Sequence, residues 1–351
     1  KAWSRAPLLG LDTEFVRERT YTANLGLVQI SDGHTVWLLD PLVPGSLEPL
    51  RRLLLNAAIE KIFHSPSEDL DVLLSVLGVA PEPLIDTQVA CALLGKALQM
   101  GYHTAVEWSF SVKLDKEQTR SNWCARPLKK AQLHYAALDV CLLPLLWRNL
   151  REKLESKGRL DWLQEECERQ LERARTPTPP GELWRRIRGA GRLDGQSLAI
   201  LQALAEWRES RAQELNRPRG FIVPDPVLIA IANQRLHSRQ DLLDLDGLHP
   251  RAAARHGGAI CDIVTATMNS GKRLQVLPKL NSSDRHLLKA MRTKVQARAS
   301  ELSLDPAVLA PRRDLEEMLM TEENGFIPAR LRGWRMEQIT MELIDMRGKR
   351  T

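Results

Sequence analysis

Apolar runs and alternation near the start of the chain predict strands over 7–15, 25–31 and 35–41. The first contains LLGLDTEF, the second is LGLVQIS, and the third follows the turn residues Ser31, Asp32 and Gly33. A fourth strand is expected in IEKIFHS, then a helix over 67–77 with Ser67 as its N-cap. Helical spacing returns near 86–95 and 103–109, and after a longer loop a helix starts near Lys129. Pro144 falls inside that last pattern and predicts a break near Leu143, because proline lacks an amide hydrogen and crowds the preceding turn. Meandering strands followed by strands alternating with helices describe an α/β domain with a mixed sheet.

Beyond that domain the pattern is helical. The proline-rich stretch RARTPTPPGE reads as a linker, and a looser stretch starting at Ser270 divides the helical half in two. The expected division is a first domain over 1–172, a linker over 173–182, a helical domain over 183–269, a linker over 270–283 and a second helical domain over 284–351. The two helical parts echo each other. Each has a basic helix, a loop ending in Asp-Pro (Asp225–Pro226 and Asp305–Pro306) and a further helix, which reads as two copies of one module.

Charge sharpens this division. The net charge of +6 is unevenly placed, at −1 over residues 1–175 and +7 over 176–351. Basic modules beside a near-neutral domain suit an enzyme that handles nucleic acid, although +7 over that length is equally compatible with ordinary solvated surface. No apolar run approaches the length of a membrane span. The start is no signal peptide, and it lacks an initiator Met, so a preceding stretch is expected to be missing. Five scattered Cys without a C-x-x-C pair argue for a reducing compartment and against structural zinc or a disulfide framework.

The candidate chemistry lies in four acids and a tyrosine. Asp12 and Glu14 are two apart on the first strand, so they share a face at roughly 7 Å between Cα atoms. A buried central strand rarely carries two acids without a cation to pair them. Among Glu68, Asp69 and Asp71, only Asp69 shares the helix face of Val72, Leu73 and Val76, so it is the ligand candidate. Tyr135 and Asp139 stand at i and i+4 on one helix. Converging carboxylates suit Mg2+ or Mn2+, which take oxygen ligands and, as a pair, clamp both oxygens of a phosphodiester displacement. A phenol is a poor base at neutral pH, so Tyr135 is expected to orient water.

The segments LDTEFVRERTY, LGLVQIS, LLDPL, IFHSPSEDLDVLL, PLIDTQVACALLG, LDKEQTRSNWCARPL and QLHYAALDVCLLP, in this order, resemble ribonuclease D. The helical parts resemble its helicase-and-RNase-D C-terminal (HRDC) domain, the first more closely than the second. The resemblance implies an α/β ribonuclease H-like exonuclease domain followed by two all-α HRDC-type domains. It also implies a cytoplasmic 3′→5′ exoribonuclease that uses two magnesium or manganese ions to trim tRNA precursors and other small structured RNAs, with no obligatory protein partner. Carried onto this chain, the metal ligands are Asp12, Glu14, Asp69 and Asp139, and Tyr135 positions the water. Gln29, His64, Arg120, Trp123 and Arg126 are candidate RNA contacts, with a capping role for His64 and a packing role for Trp123 as alternatives. The five site residues alone do not separate RNA from DNA, a choice that rests on the 2′-hydroxyl. A DNA proofreading exonuclease and a non-catalytic nucleic-acid scaffold are the competing readings.

Overall fold

In the computed structural model, residues 3, 6–114, 121–276, 279–321 and 325–348 are described. The chain forms two compact units, one comprising 1–16, 24–175 and 279–351, the other 17–23 and 176–278.

The first unit is built on a five-stranded sheet in the order β3-β2-β1-β4-β5. Strands β1 (Leu8–Val16), β2 (Asn24–Ser31) and β3 (Val36–Leu39) form the antiparallel meander. Strands β4 (Glu60–Phe63) and β5 (Leu84–Asp86) add in parallel beside β1, so the sheet is mixed. β1 is central, and Leu8, Leu9 and Leu11 are buried on both of its faces. The β1–β2 register shifts between Glu14 and Phe15. Such an irregularity bends the strand and re-aims the side chains beside it.

The helices of this unit are α1 (Leu47–Leu54), α2 (Ser67–Leu77), α3 (Thr87–Leu93), α4 (Tyr102–Phe110), α5 (Lys130–Cys141), α6 (Leu143–Ser156) and α7 (Leu160–Arg175). α1 and the three-residue β5 were not expected. Pro66, not Ser67, is the N-cap of α2, and no side chain caps it. The break from Pro144 falls at Leu142, between α5 and α6. α7 runs on to Arg175, three residues into the expected linker. Gly26 on β2 is required by packing, because a Cβ there would lie 2.7 Å from Trp123.

The second unit contains α8 (Gly195–Glu214), α9 (Arg219–Ile222), α10 (Asp225–Gln234), α11 (Arg239–Leu243) and α12 (Pro250–Asn269) around one apolar core. Tyr21 joins that unit, its hydroxyl hydrogen-bonded to Glu209.

The last segment, α13 (Ser282–Leu302), α14 (Pro306–Leu309), α15 (Arg312–Met320) and α16 (Met341–Gly348), belongs to the first unit. Trp334 stacks on Trp162 of α7 at 4.2 Å between ring centroids, and Arg159 donates to the carbonyls of Leu93 and Leu302. Among the described residues no helix is long and apolar enough to cross a membrane.

Candidate active site

β1 supplies the floor of the site. Asp12 and Glu14 follow its buried start, half-buried on one face. α5 packs across β1, β2 and β3 and brings Asp139 to that face. Asp12, Glu14 and Asp139 each place one carboxylate oxygen within 4.8 Å of the others. Asp69, 8 % exposed, arrives from the first turn of α2. Its Oδ1 accepts from the Thr13 amide at 3.1 Å and from the Thr13 hydroxyl, which fixes it against β1, outside the close group of three.

The electrostatics follow from burial and like charge. Burial pushes the Asp12 carboxyl well above the usual carboxylate range, and repulsion from Asp69, Asp139 and Glu14 adds to it. Burial, then Asp139 and Asp69, push Glu14 up to about 8. Burial raises Asp69 to about 6 against the opposing hydrogen bonds from Thr13. Asp139 is raised by burial and held back by His103 and Tyr135. The Tyr135 phenol is pushed upward by burial and by the neighbouring acids, Asp139 foremost, so it keeps its proton at neutral pH. Among the described residues no Lys or Arg pairs with any of the four carboxylates. An all-oxygen cluster that raises its own proton affinity in this way is suited to a hard divalent cation.

Sequence reasoning missed two residues. His103, at the start of α4, has Nε2 3.2 Å from Asp139 Oδ1 and orients that carboxylate. Thr13 holds Asp69. Neither stands in a pattern that spacing alone could single out.

The structure places four of the five candidate RNA contacts. Gln29 has no exposed surface, which rules out contact with a nucleic acid in this conformation. His64 has its two ring nitrogens 2.8 Å from the Thr87 hydroxyl and the Met100 carbonyl, so it pins β4 to its neighbours. Trp123 is buried with Leu27 and Ala136 and lies beside the Tyr135 ring, which makes it a packing residue. Arg126 is held by both Asp40 oxygens at 2.6 Å and by the carbonyls of Gly26, Trp123 and Ala125. Arg120 lies outside the described residues.

Residues 1–155 match the 3′-5′ exonuclease family model, and residues 197–264 match the HRDC domain. Ribonuclease D of Pseudomonas paraeruginosa is 34% identical over 98% of this chain and 93% of its own length. That of Shewanella sp. is 37% identical, over 95% and 87%. The chain belongs to the ribonuclease D family. The crystal structure of Escherichia coli RNase D, described as an exoribonuclease involved in structured RNA processing, superposes with a TM-score of 0.90. It shares 33% identity, covering 98% of this chain and 94% of its own. The protein is therefore a 3′→5′ exoribonuclease acting on RNA, and the DNA-exonuclease and scaffold readings are not favoured.

Proposed function

We propose that Asp12, Glu14, Asp69 and Asp139 hold two divalent ions, Mg2+ or Mn2+, and that the enzyme trims the 3′ ends of tRNA precursors and other small structured RNAs in the cytoplasm. The observation that carries the metal reading is the convergence of carboxylate oxygens from two strand positions and one helix, with no Lys or Arg among the described residues paired to them. Bound there, the ions would supply the charge that activates a water and stabilises the leaving oxygen of the phosphodiester.

The chain's own residues set the geometry. Thr13 fixes Asp69, while His103 fixes Asp139. The protonated Tyr135 hydroxyl orients the attacking water and does not take its proton. Tyr135→Phe keeps the ring that packs beside Trp123 and removes only the hydroxyl. Its kcat is expected to fall about a hundredfold with RNA binding little changed. Weakened binding with kcat intact, measured by single turnover and filter binding, would make Tyr135 a substrate contact instead.

The substrate reading rests on the HRDC match, the basic second half and the chemistry of α13. Arg285, Lys289, Arg292 and Gln296 stand at i, i+4, i+7 and i+11, all exposed, on one face of that helix. Lys289, Arg292 and Arg312 also line a groove of about 500 Å³ beside α14 and α15. We read 284–351 as a second HRDC-type module that holds RNA phosphates away from the cleaved bond. Changing Arg285, Lys289 and Arg292 together to Ala should weaken binding of a tRNA precursor and lower the slope of log K against log salt by roughly two to three. Hydrolysis of a short unstructured oligonucleotide should stay as it was. An unchanged slope would remove this surface from the RNA path.

A further inference from the structure

Gln29 sits at the centre of β2, opposite Asp12 on β1 and Leu38 on β3. Directly opposed residues of an antiparallel pair project to the same face of the sheet, with Cβ atoms about 4.5–5.5 Å apart. That face is the one from which Asp139 reaches Asp12. Gln29 is 0 % exposed, and neither its Nε2 nor its Oε1 has a hydrogen-bond partner among the described residues. The other buried glutamine among the described residues, Gln132, is satisfied, because its Oε1 accepts from the Lys129 amide at 3.0 Å.

A buried side-chain amide with both atoms unpartnered is rare and costly, and one found beside a functional cluster calls for an explanation. The surroundings narrow the choice. Leu38 and Leu27 offer nothing polar, and the Ser31 hydroxyl accepts from the Gly33 amide. The acids among its cross-strand neighbours are Asp12, directly opposite, and Glu14 on the diagonal.

We infer that Gln29 is a positioning residue for the metal centre: its Nε2 donates to the ionised Asp12 carboxylate and fixes which oxygen faces a bound divalent cation. Partners of this kind behind metal ligands typically contribute about ten- to a hundredfold in metal affinity. The inference rests on Asp12 being a ligand, and it adds a residue whose burial would otherwise assign it to the core.

Gln29→Met keeps an unbranched side chain of similar length and removes the amide. In a protein where Gln29 only fills space, this exchange leaves metal binding untouched. Calorimetric titration with Mn2+ should show binding weakened about tenfold. The melting temperature in chelator should be equal to or above the parent's, because an unpartnered buried amide has been removed. The Mg2+ concentration for half-maximal hydrolysis should rise by a similar factor, with kcat at saturating metal changed far less. Gln29→Leu carries the same expectations should the Met variant not fold. Mn2+ affinity within twofold of the parent's in either folded variant overturns the inference. Asp12→Asn separates this failure from that of the site itself: if Asp12→Asn also binds Mn2+ like the parent, the ligand assignment has failed, not only the role of Gln29.

Discussion

Asp12→Asn should lower kcat by at least about a thousandfold and, in the presence of chelator, raise the melting temperature. Both effects come from one cause. The Asp12 carboxyl is driven well above its ordinary range by burial and by three neighbouring acids, so the fold bears repulsion that a cation would relieve. Asn keeps the volume and removes the charge, trading function for stability. The pH dependence has a definite sign. Glu14 releases its proton near 4.5 in the unfolded chain but holds it to about 8 in the folded one. Its contribution is therefore fully present below about 4.5 and is lost as pH rises towards about 8. Without metal, the parent's melting temperature should fall relative to that of Glu14→Gln across this interval, and saturating Mg2+ should remove the difference. A parent that loses no stability relative to Glu14→Gln would show that the cluster is not under charge strain. Single-turnover hydrolysis that survives in Asp12→Asn would remove Asp12 from the metal centre.

Much of this site was legible in the sequence because its elements follow simple periods. β1 could be placed from LLGL followed by alternation, which puts Asp12 and Glu14 on one face. The helical period separated Asp69 from Glu68 and Asp71, and the structure buries Asp69 while leaving the other two exposed. The break between α5 and α6 followed from Pro144. The elements that escaped are short. β5 has three residues, too few to show alternation, and α1 is eight residues long with a proline in its first turn. The RNA-contact candidates illustrate a different limit. His64, Trp123 and Arg126 are polar or aromatic residues near the right motifs, but their partners come from other segments of the chain. Asp40 is 86 residues from Arg126 along the chain, and Met100 is 36 from His64. No local pattern records such pairings. His103 escaped for the same reason, since its link to Asp139 exists only after α4 and α5 have packed.

Arg335 carries the largest expected effect on stability. The guanidinium is 1 % exposed and lies against Glu166 of α7, while its Nε and Nη2 donate to the Val308 carbonyl at 2.9 and 2.7 Å. Burial alone would raise the Glu166 carboxyl. Arg335, Arg169 and the Trp334 indole nitrogen together hold it below its ordinary value, so it is ionised in place. Removing one partner from a buried pair leaves the other charged and dry, which typically costs about 3–5 kcal/mol. Arg335→Met is expected to lose stability on that scale in urea unfolding. The double variant Arg335→Met with Glu166→Met should recover most of it, because no charge is then left unpaired. A loss below about 1 kcal/mol in the single variant would place the pair in the class of solvent-screened ion pairs. The same contacts decide how the helical half can be studied. The 279–351 segment belongs to the compact unit that contains the catalytic sheet, through Trp334 on Trp162, Arg335 on Glu166 and Arg159 on Leu302. A fragment ending in the linker after α7 would strip that cover and leave Glu166 half-buried without its main partner. Lost activity in such a fragment would report damage to α7 and say nothing of RNA binding, so the exposed cations of α13, changed singly and together in the full chain, are the sites at which phosphate contact can be measured.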